Sequence, residues 1–200
     1  MTVNSDIKIG GLLLAAGGST RFGSAKQLAE FEGKTLVRRA AEALYGSGCS
    51  IVVAVLGASA DESRRELSDL YIVTVENKDW QTGMSSSVRV GLSKLIEIEP
   101  QLDAVLITLM DQPNVTASHL GRFAATFIEE GSLIIAAEYS GTTGVPALFA
   151  RPLFNELLQL EGDQGARSII RKLSNITTIS LDEAAIDIDS PSDLESLESR

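Results

Sequence analysis

The sequence holds a single cysteine, Cys49, and a single histidine, His119. One thiol can close no intrachain disulfide and build no multi-cysteine zinc site, and such sparse usage fits a reducing, cytoplasmic setting. One histidine confines any Ser-His-Asp or Cys-His mechanism to His119, which sits in a polar stretch expected to be helical from Thr116 and to face solvent. Positive charge is scarce too: 17 Lys and Arg stand against 27 Asp and Glu, a formal net charge of −10. Nucleic-acid backbones and anionic lipids are gripped by clustered cations, so neither is an expected partner and a small molecule is favoured. No apolar run approaches the roughly 20 residues of a membrane span. Met1–Lys8 also lack the basic start and apolar stretch of a signal peptide, so a soluble cytoplasmic protein is expected.

What is present is an alternation. The 200 residues suit one domain over 1–200, with no internal repeat, linker or low-complexity segment. Apolar runs at Ile9–Ala16, Ile51–Leu56, Ala104–Leu109 and Leu133–Ala137 read as buried strands, with weaker candidates at Tyr71–Val75, Val145–Phe149, Ile176–Ser180 and Ala185–Ile188. Between them, Thr35–Tyr45, Asp61–Asp69, Ser85–Ile96, Ser118–Glu129 and Gly165–Lys172 carry the i, i+3, i+4 spacing of amphipathic helices. This order predicts an α/β fold: a doubly wound, mostly parallel sheet flanked by helices in three layers, α/β/α. Ligands of such sheets bind beyond the carboxyl ends of the strands.

After the first strand comes Ala15-Ala16-Gly17-Gly18-Ser19-Thr20-Arg21-Phe22-Gly23-Ser24-Ala25-Lys26-Gln27. Small residues let backbone N–H groups approach an anion, and Arg21 and Lys26 supply charge. No acid lies between Asp6 and Glu30, so the local sign of this acidic chain is reversed here. A P-loop needs Lys directly after its last Gly, but Ser24 follows Gly23, and no G-x-G-x-x-G occurs.

Two carboxylates stand at comparable places. Asp111 follows the Ala104–Leu109 strand and precedes Gln112-Pro113, where it suits either a hard cation such as Mg²⁺ or a turn. Asp189 lies between an apolar stretch and a helix opening at Pro191, with Ser190 as a candidate N-cap and Asp193 in the first helical turn. Further on the chain's middle, Asn77-Lys78-Asp79-Trp80-Gln81-Thr82-Gly83-Met84-Ser85-Ser86-Ser87 ends in a helix start whose N–H groups and hydroxyls can read base edges. Ser85 and Ser86 read better as caps, and Trp80 as a core, lid or stacking residue.

From Leu14 to Gln27 the pattern Leu-Ala-Ala-Gly-x-Ser-x-Arg-Phe-Gly-x-x-Lys-Gln resembles the N-terminal signature of the molybdopterin cytidylyltransferases, within the MobA-like NTP transferase superfamily. Asp111-Gln112-Pro113 and Asp187-Ile188-Asp189-Ser190-Pro191 are similar to that family's two metal segments. The resemblance implies a Rossmann-like fold of the nucleotide-diphospho-sugar transferase type and Mg²⁺ held by Asp111 and Asp189. It also implies nucleotide contacts from Ala15, Ala16, Gly17, Gly18, Ser19, Arg21, Lys26, Gly83 and Ser87, with Arg21 and Lys26 catalytic. Implied partners are CTP, a phosphorylated acceptor of molybdopterin type, and a transient molybdoenzyme or chaperone contact. On the acceptor side, Gly144-Val145-Pro146 and Gly162-Asp163-Gln164-Gly165-Ala166-Arg167 stand where the family has Gly-His-Pro and Gly-Asp-Lys-Gly-Ala-Arg, so Val145 and Gln164 remove polar groups. Alternatives are another NTP such as GTP, another acceptor such as a sugar phosphate, or a non-catalytic cofactor carrier.

Overall fold

The computed structural model describes residues 7–18, 22–173 and 176–198. Its centre is a seven-stranded sheet of β1 (Ile9–Ala15), β4 (Ile51–Leu56), β5 (Val73–Glu76), β6 (Ala104–Leu109), β7 (Ile134–Tyr139), β8 (Thr142–Ala150) and β9 (Thr177–Ser180), beside a small hairpin of β2 (Glu30–Phe31) and β3 (Lys34–Thr35). The spatial order is β5-β4-β1-β6-β8-β7-β9. β5, β4, β1 and β6 run parallel, β8 is antiparallel to both β6 and β7, and β9 returns parallel to β7. The sheet is therefore mixed, as the sequence predicts.

Alternation along β1 explains the layers, because successive side chains leave a strand on opposite faces. Leu13 and Ala15 pack on one side with α1 (Leu36–Tyr45), α2 (Ala60–Glu66) and α4 (Ala117–Glu130). Leu12 and Leu14 pack on the other with α3 (Met84–Ile98), α5 (Phe154–Leu158) and α6 (Arg167–Ile170). Each fully buried leucine or phenylalanine on these faces, such as Leu12 or Phe149, contributes about 1.5–3 kcal/mol. Helix α3 sits so close to the sheet that a Cβ on Gly91 would overlap Leu12 and Val55, and this proximity sets the depth of the helix start that faces the cleft.

Local chemistry ends the helices where the sequence suggests. Thr35 caps α1 by accepting from Arg38 N, and Gly131 closes α4 in the left-handed region at φ 64°. The expected strand at Ala185–Ile188 does not form. Asp182–Ala185 is a 3₁₀ turn instead, and Ile188 is buried in a small cluster with Phe31 and Leu36, so the apolar pattern there serves packing and not a ladder. Helix α7 (Pro191–Glu198) follows. Asp193 Oδ2 accepts from the backbone N–H of Ser190 and of Asp189 and from the Ser190 hydroxyl, so the Asp193 carboxylate ties the helix start. Among the described residues no helix is long and apolar enough to cross a membrane.

Candidate functional site

The site lies where β1 and β6 end side by side, Leu14 being paired with Leu109. An open cleft of about 460 Å³ begins there. The loop after β1 is held from behind. Buried Gln27 donates its side-chain amide to the carbonyls of Ala15 (3.3 Å) and Gly17 (2.7 Å), and Ala58 N–H donates to the Ala16 carbonyl. Three consecutive carbonyl oxygens, which would repel an anion, are thereby committed to the protein. Ala15, Ala16, Gly17 and Gly18 all line the cleft. Ser19 and Arg21 lie outside the described residues.

Lys26, in a 3₁₀ turn with Gln27, brings the three charged positions together. Its Nζ is 2.9 Å from Asp111 Oδ2 and 3.3 Å from Asp189 Oδ1, and its side chain is only 7% exposed. Asp111 comes from the turn beyond β6. Asp189 is delivered by the segment after the Asp182–Ala185 turn, which is fixed beside Asp111 by Ile188 N–H donating to the Asp111 carbonyl at 2.9 Å. The sequence reading set Lys26 on the triphosphate; its ammonium here pairs with the two aspartates, whose oxygens are the acceptors within its reach.

The donor set there fits a hard divalent cation. Asp111 Oδ1 is buried and accepts no hydrogen bond among the described residues, an unmet acceptor that costs free energy until something positive meets it. Asp187 is pushed up to about 6, first by burial and then by the charge of Asp111, with Gln112 opposing, so negative charge is gathered around this point. No three acidic, histidine or cysteine side chains converge on one point among the described residues. A cation here would draw on two carboxylates and complete its shell with water and substrate oxygens, the usual habit of Mg²⁺.

The other end of the cleft is made from backbone. Gly83 precedes α3 at φ 110° and ψ 171°, a region open essentially to glycine alone. A Cβ there would overlap the Gly162 carbonyl and come 2.7 Å from Asp163 Oδ1. Its N–H donates to the Trp80 carbonyl, and Ser85 N–H donates to Gly162, so these two groups are not available to a base edge. The expectation that Ser85 or Ser86 caps α3 is not met: Gly83 holds the N-cap position without a side-chain bond, and Ser86 Oγ donates to the Gly83 carbonyl. Ser87 lines the cleft, and its hydroxyl accepts from Asn77 Nδ2 at 3.0 Å.

Three features escaped the sequence reading. Trp80 leans over the loop after β1, where a Cβ on Gly18 would overlap its ring, so the indole joins the two ends of the cleft. Asp163, read as acceptor-side, lies in the cleft against Gly83. Arg89 fixes that loop by donating to the Leu160 carbonyl and to Ser85 Oγ. Arg167, by contrast, binds the Thr143 carbonyl (3.0 Å) and the Tyr139 hydroxyl (3.3 Å) beside Gly144, while Val145 and Pro146 are joined by a cis peptide.

The lone histidine and cysteine stay structural. His119 Nδ1 accepts from Thr116 N–H in a capping box at the start of α4, with a partly buried side chain rather than a solvent-facing one. Burial pushes the Cys49 thiol up to about 11, far from a reactive thiolate.

Residues 11–176 match the MobA-like NTP transferase domain. Nicotine blue oxidoreductase of Paenarthrobacter nicotinovorans is 34% identical over 173 residues, covering 81% of each chain. The crystal structure of Rv0371c from Mycobacterium tuberculosis H37Rv superposes with a TM-score of 0.81 at 26% identity, over 96% of this chain and 99% of that one. A manganese complex of Rv0371c gives 0.80 at 25% identity, over 96% and 100%. A nucleotidyl transferase from Methanothermobacter shares the fold with a TM-score of 0.79 at 20% identity, over 96% of both chains.

Proposed function

Since this chain belongs to the MobA-like NTP transferase family, and as such is a nucleotidyltransferase, we propose that it joins CMP from CTP to the phosphate of molybdopterin with release of pyrophosphate, using Mg²⁺. One observation carries the reading: Lys26, Asp111 and Asp189 meet within 3.3 Å at the mouth of a glycine-rich loop, in a cleft that extends to Gly83 and Ser87. The Ala15-Ala16 pair and Phe22 favour CTP over GTP in this reading, since guanylyltransferases of the superfamily typically carry Leu-Ala-Gly-Gly and Arg-Met-Gly there.

The proposed roles follow from charge and position. Gly17 and Gly18 hold the triphosphate through the backbone, with Ser19, and Arg21 and Lys26 neutralise the charge that develops on departing pyrophosphate. Asp111 and Asp189 hold the divalent cation, which when bound neutralises phosphate oxygens and orients them. A phosphate monoester acceptor is already ionised near neutral pH, so its oxygen needs no general base from a chain whose one histidine caps a helix. Catalysis then rests on positioning and charge neutralisation. The substitutions Val145 and Gln164 leave the acceptor side less polar than in molybdopterin enzymes of this kind, and another phosphorylated acceptor or another NTP keeps the same chemistry.

The test is pyrophosphate release by the purified chain with CTP, GTP, ATP or UTP, each with molybdopterin and with sugar phosphates, in Mg²⁺. Preference for CTP with molybdopterin is the expected result. Release with a different pair would keep the transferase chemistry and reassign its substrates. Nucleotide binding without release in every pair would point to a carrier. The oxidoreductase name of the 34%-identical relative favours a second reading, and redox turnover without pyrophosphate release would establish it.

A further inference from the structure

Resting on the reading that this cleft takes a divalent cation and a triphosphate, we infer that Lys26 is an internal counter-cation. It holds Asp111 and Asp189 together in the free protein, yields its place to the metal, and moves to the phosphates, so that metal and nucleotide bind as a coupled pair.

The argument is steric and electrostatic. The ammonium lies between Asp111 Oδ2 at 2.9 Å and Asp189 Oδ1 at 3.3 Å. Mg²⁺ bound by the same two carboxylates, using the open Oδ1 of Asp111, sits about 2.0–2.1 Å from its oxygens, close beside the ammonium on Oδ2. Two cations so close repel strongly in a half-dry site, so metal binding drives the ammonium outward. The metal is confined by its carboxylates, whereas the ammonium rides on a flexible four-carbon stem. The stem's base is fixed, since Lys26 and Gln27 share one turn and Gln27 is bonded to the loop at Ala15 and Gly17. That same loop lines the cleft, so an ammonium that swings outward remains beside whatever anion the loop holds.

The pair of carboxylates explains why something must wait there. Asp111 is 23% exposed at its side chain and Asp189 is 46% exposed. Left without a cation these charges would push the C-terminal segment away from β6. Lys26 prevents this, and in doing so lowers the affinity for metal alone. A triphosphate reverses the balance by offering the ammonium a better partner. By linkage, nucleotide must raise metal affinity by the same factor that metal raises nucleotide affinity.

The experiment measures Mn²⁺ binding to the full chain by titration calorimetry, with and without a non-hydrolysable CTP analogue, for wild type, Lys26→Met and Lys26→Arg. Wild type should bind Mn²⁺ weakly alone and on the order of 10–100-fold more tightly with the analogue. Lys26→Met should bind Mn²⁺ about tenfold more tightly alone and lose most of the gain from nucleotide, while Lys26→Arg stays weak alone. If Lys26→Met binds Mn²⁺ alone no better than wild type, and wild type still gains from the analogue, the counter-cation role falls and the reading of the cleft stands. If no variant binds Mn²⁺ under either condition, both fall. A second measurement needs no variant: amine acylation with mass spectrometry should show Lys26 labelled faster when Mn²⁺ is added alone. Unchanged labelling at saturating Mn²⁺ would overturn the displacement.

Discussion

At one end of the cleft three charged side chains from distant parts of the chain meet within 3.3 Å; at the other, Gly83 packs against the Gly162 backbone beside Asp163, and the Trp80 ring lies on Gly18. The charged end depends on residue type and tolerates small shifts, because Coulomb interaction falls off slowly with distance. The backbone end depends on the absence of atoms and tolerates almost none, because overlap rises steeply. One end should therefore fail in chemistry when altered, and the other in stability and fit.

The largest effect should come from Asp111→Asn, which keeps the shape and removes the charge. Turnover should fall on the order of 10²–10³-fold, and the Mg²⁺ titration of pyrophosphate release should shift to higher concentration. An unchanged Mg²⁺ titration would take Asp111 out of the metal site. A smaller effect, of a different kind, is expected for Gly83→Ala. Backbone strain in this region costs about 1–3 kcal/mol, and a chain of this size loses roughly 2–4 °C of Tm per kcal/mol. Thermal denaturation checks it, and a wild-type Tm would mean that the turn against Gly162 is not held as described. The smallest effect belongs to Gly18→Ala, where the obstacle is the Trp80 ring, a side chain that can give way. A stability loss of about 1 kcal/mol is expected, with a changed intrinsic fluorescence, since Trp80 is the only tryptophan. Adding Trp80→Leu should restore the stability; no restoration would separate the indole from the loop.

The same contrast explains what could be read from the sequence. Lys26, Asp111 and Asp189 announce themselves by type and by their places after apolar runs, and the fold brings all three together. The layers were equally legible, since β1, β4 and β6 are apolar runs bounded by turn residues. The resting place of the Lys26 ammonium between the two acids was not legible, because sequence spacing carries no distance between residues 26, 111 and 189. The neighbours of Asp163 and Trp80 were left open for another reason: they arise where backbones cross, and glycine leaves no pattern that names its neighbour. The apolar alternation at Ala185–Ile188 looked like a strand because a two-residue period cannot tell a ladder from a segment that drops single side chains into a pocket.

The hydrogen bond from Ile188 N–H to the Asp111 carbonyl carries a consequence for the order of assembly. All seven strands of the sheet precede it in the chain, so the sheet can close, with its two apolar faces covered, while the second carboxylate is still unattached. Readiness for chemistry is thus a separate event from folding of the scaffold. It waits on the segment around Ile188 finding Phe31 and Leu36, and under the proposed role of Asp189 whatever loosens that segment silences the enzyme without unfolding it.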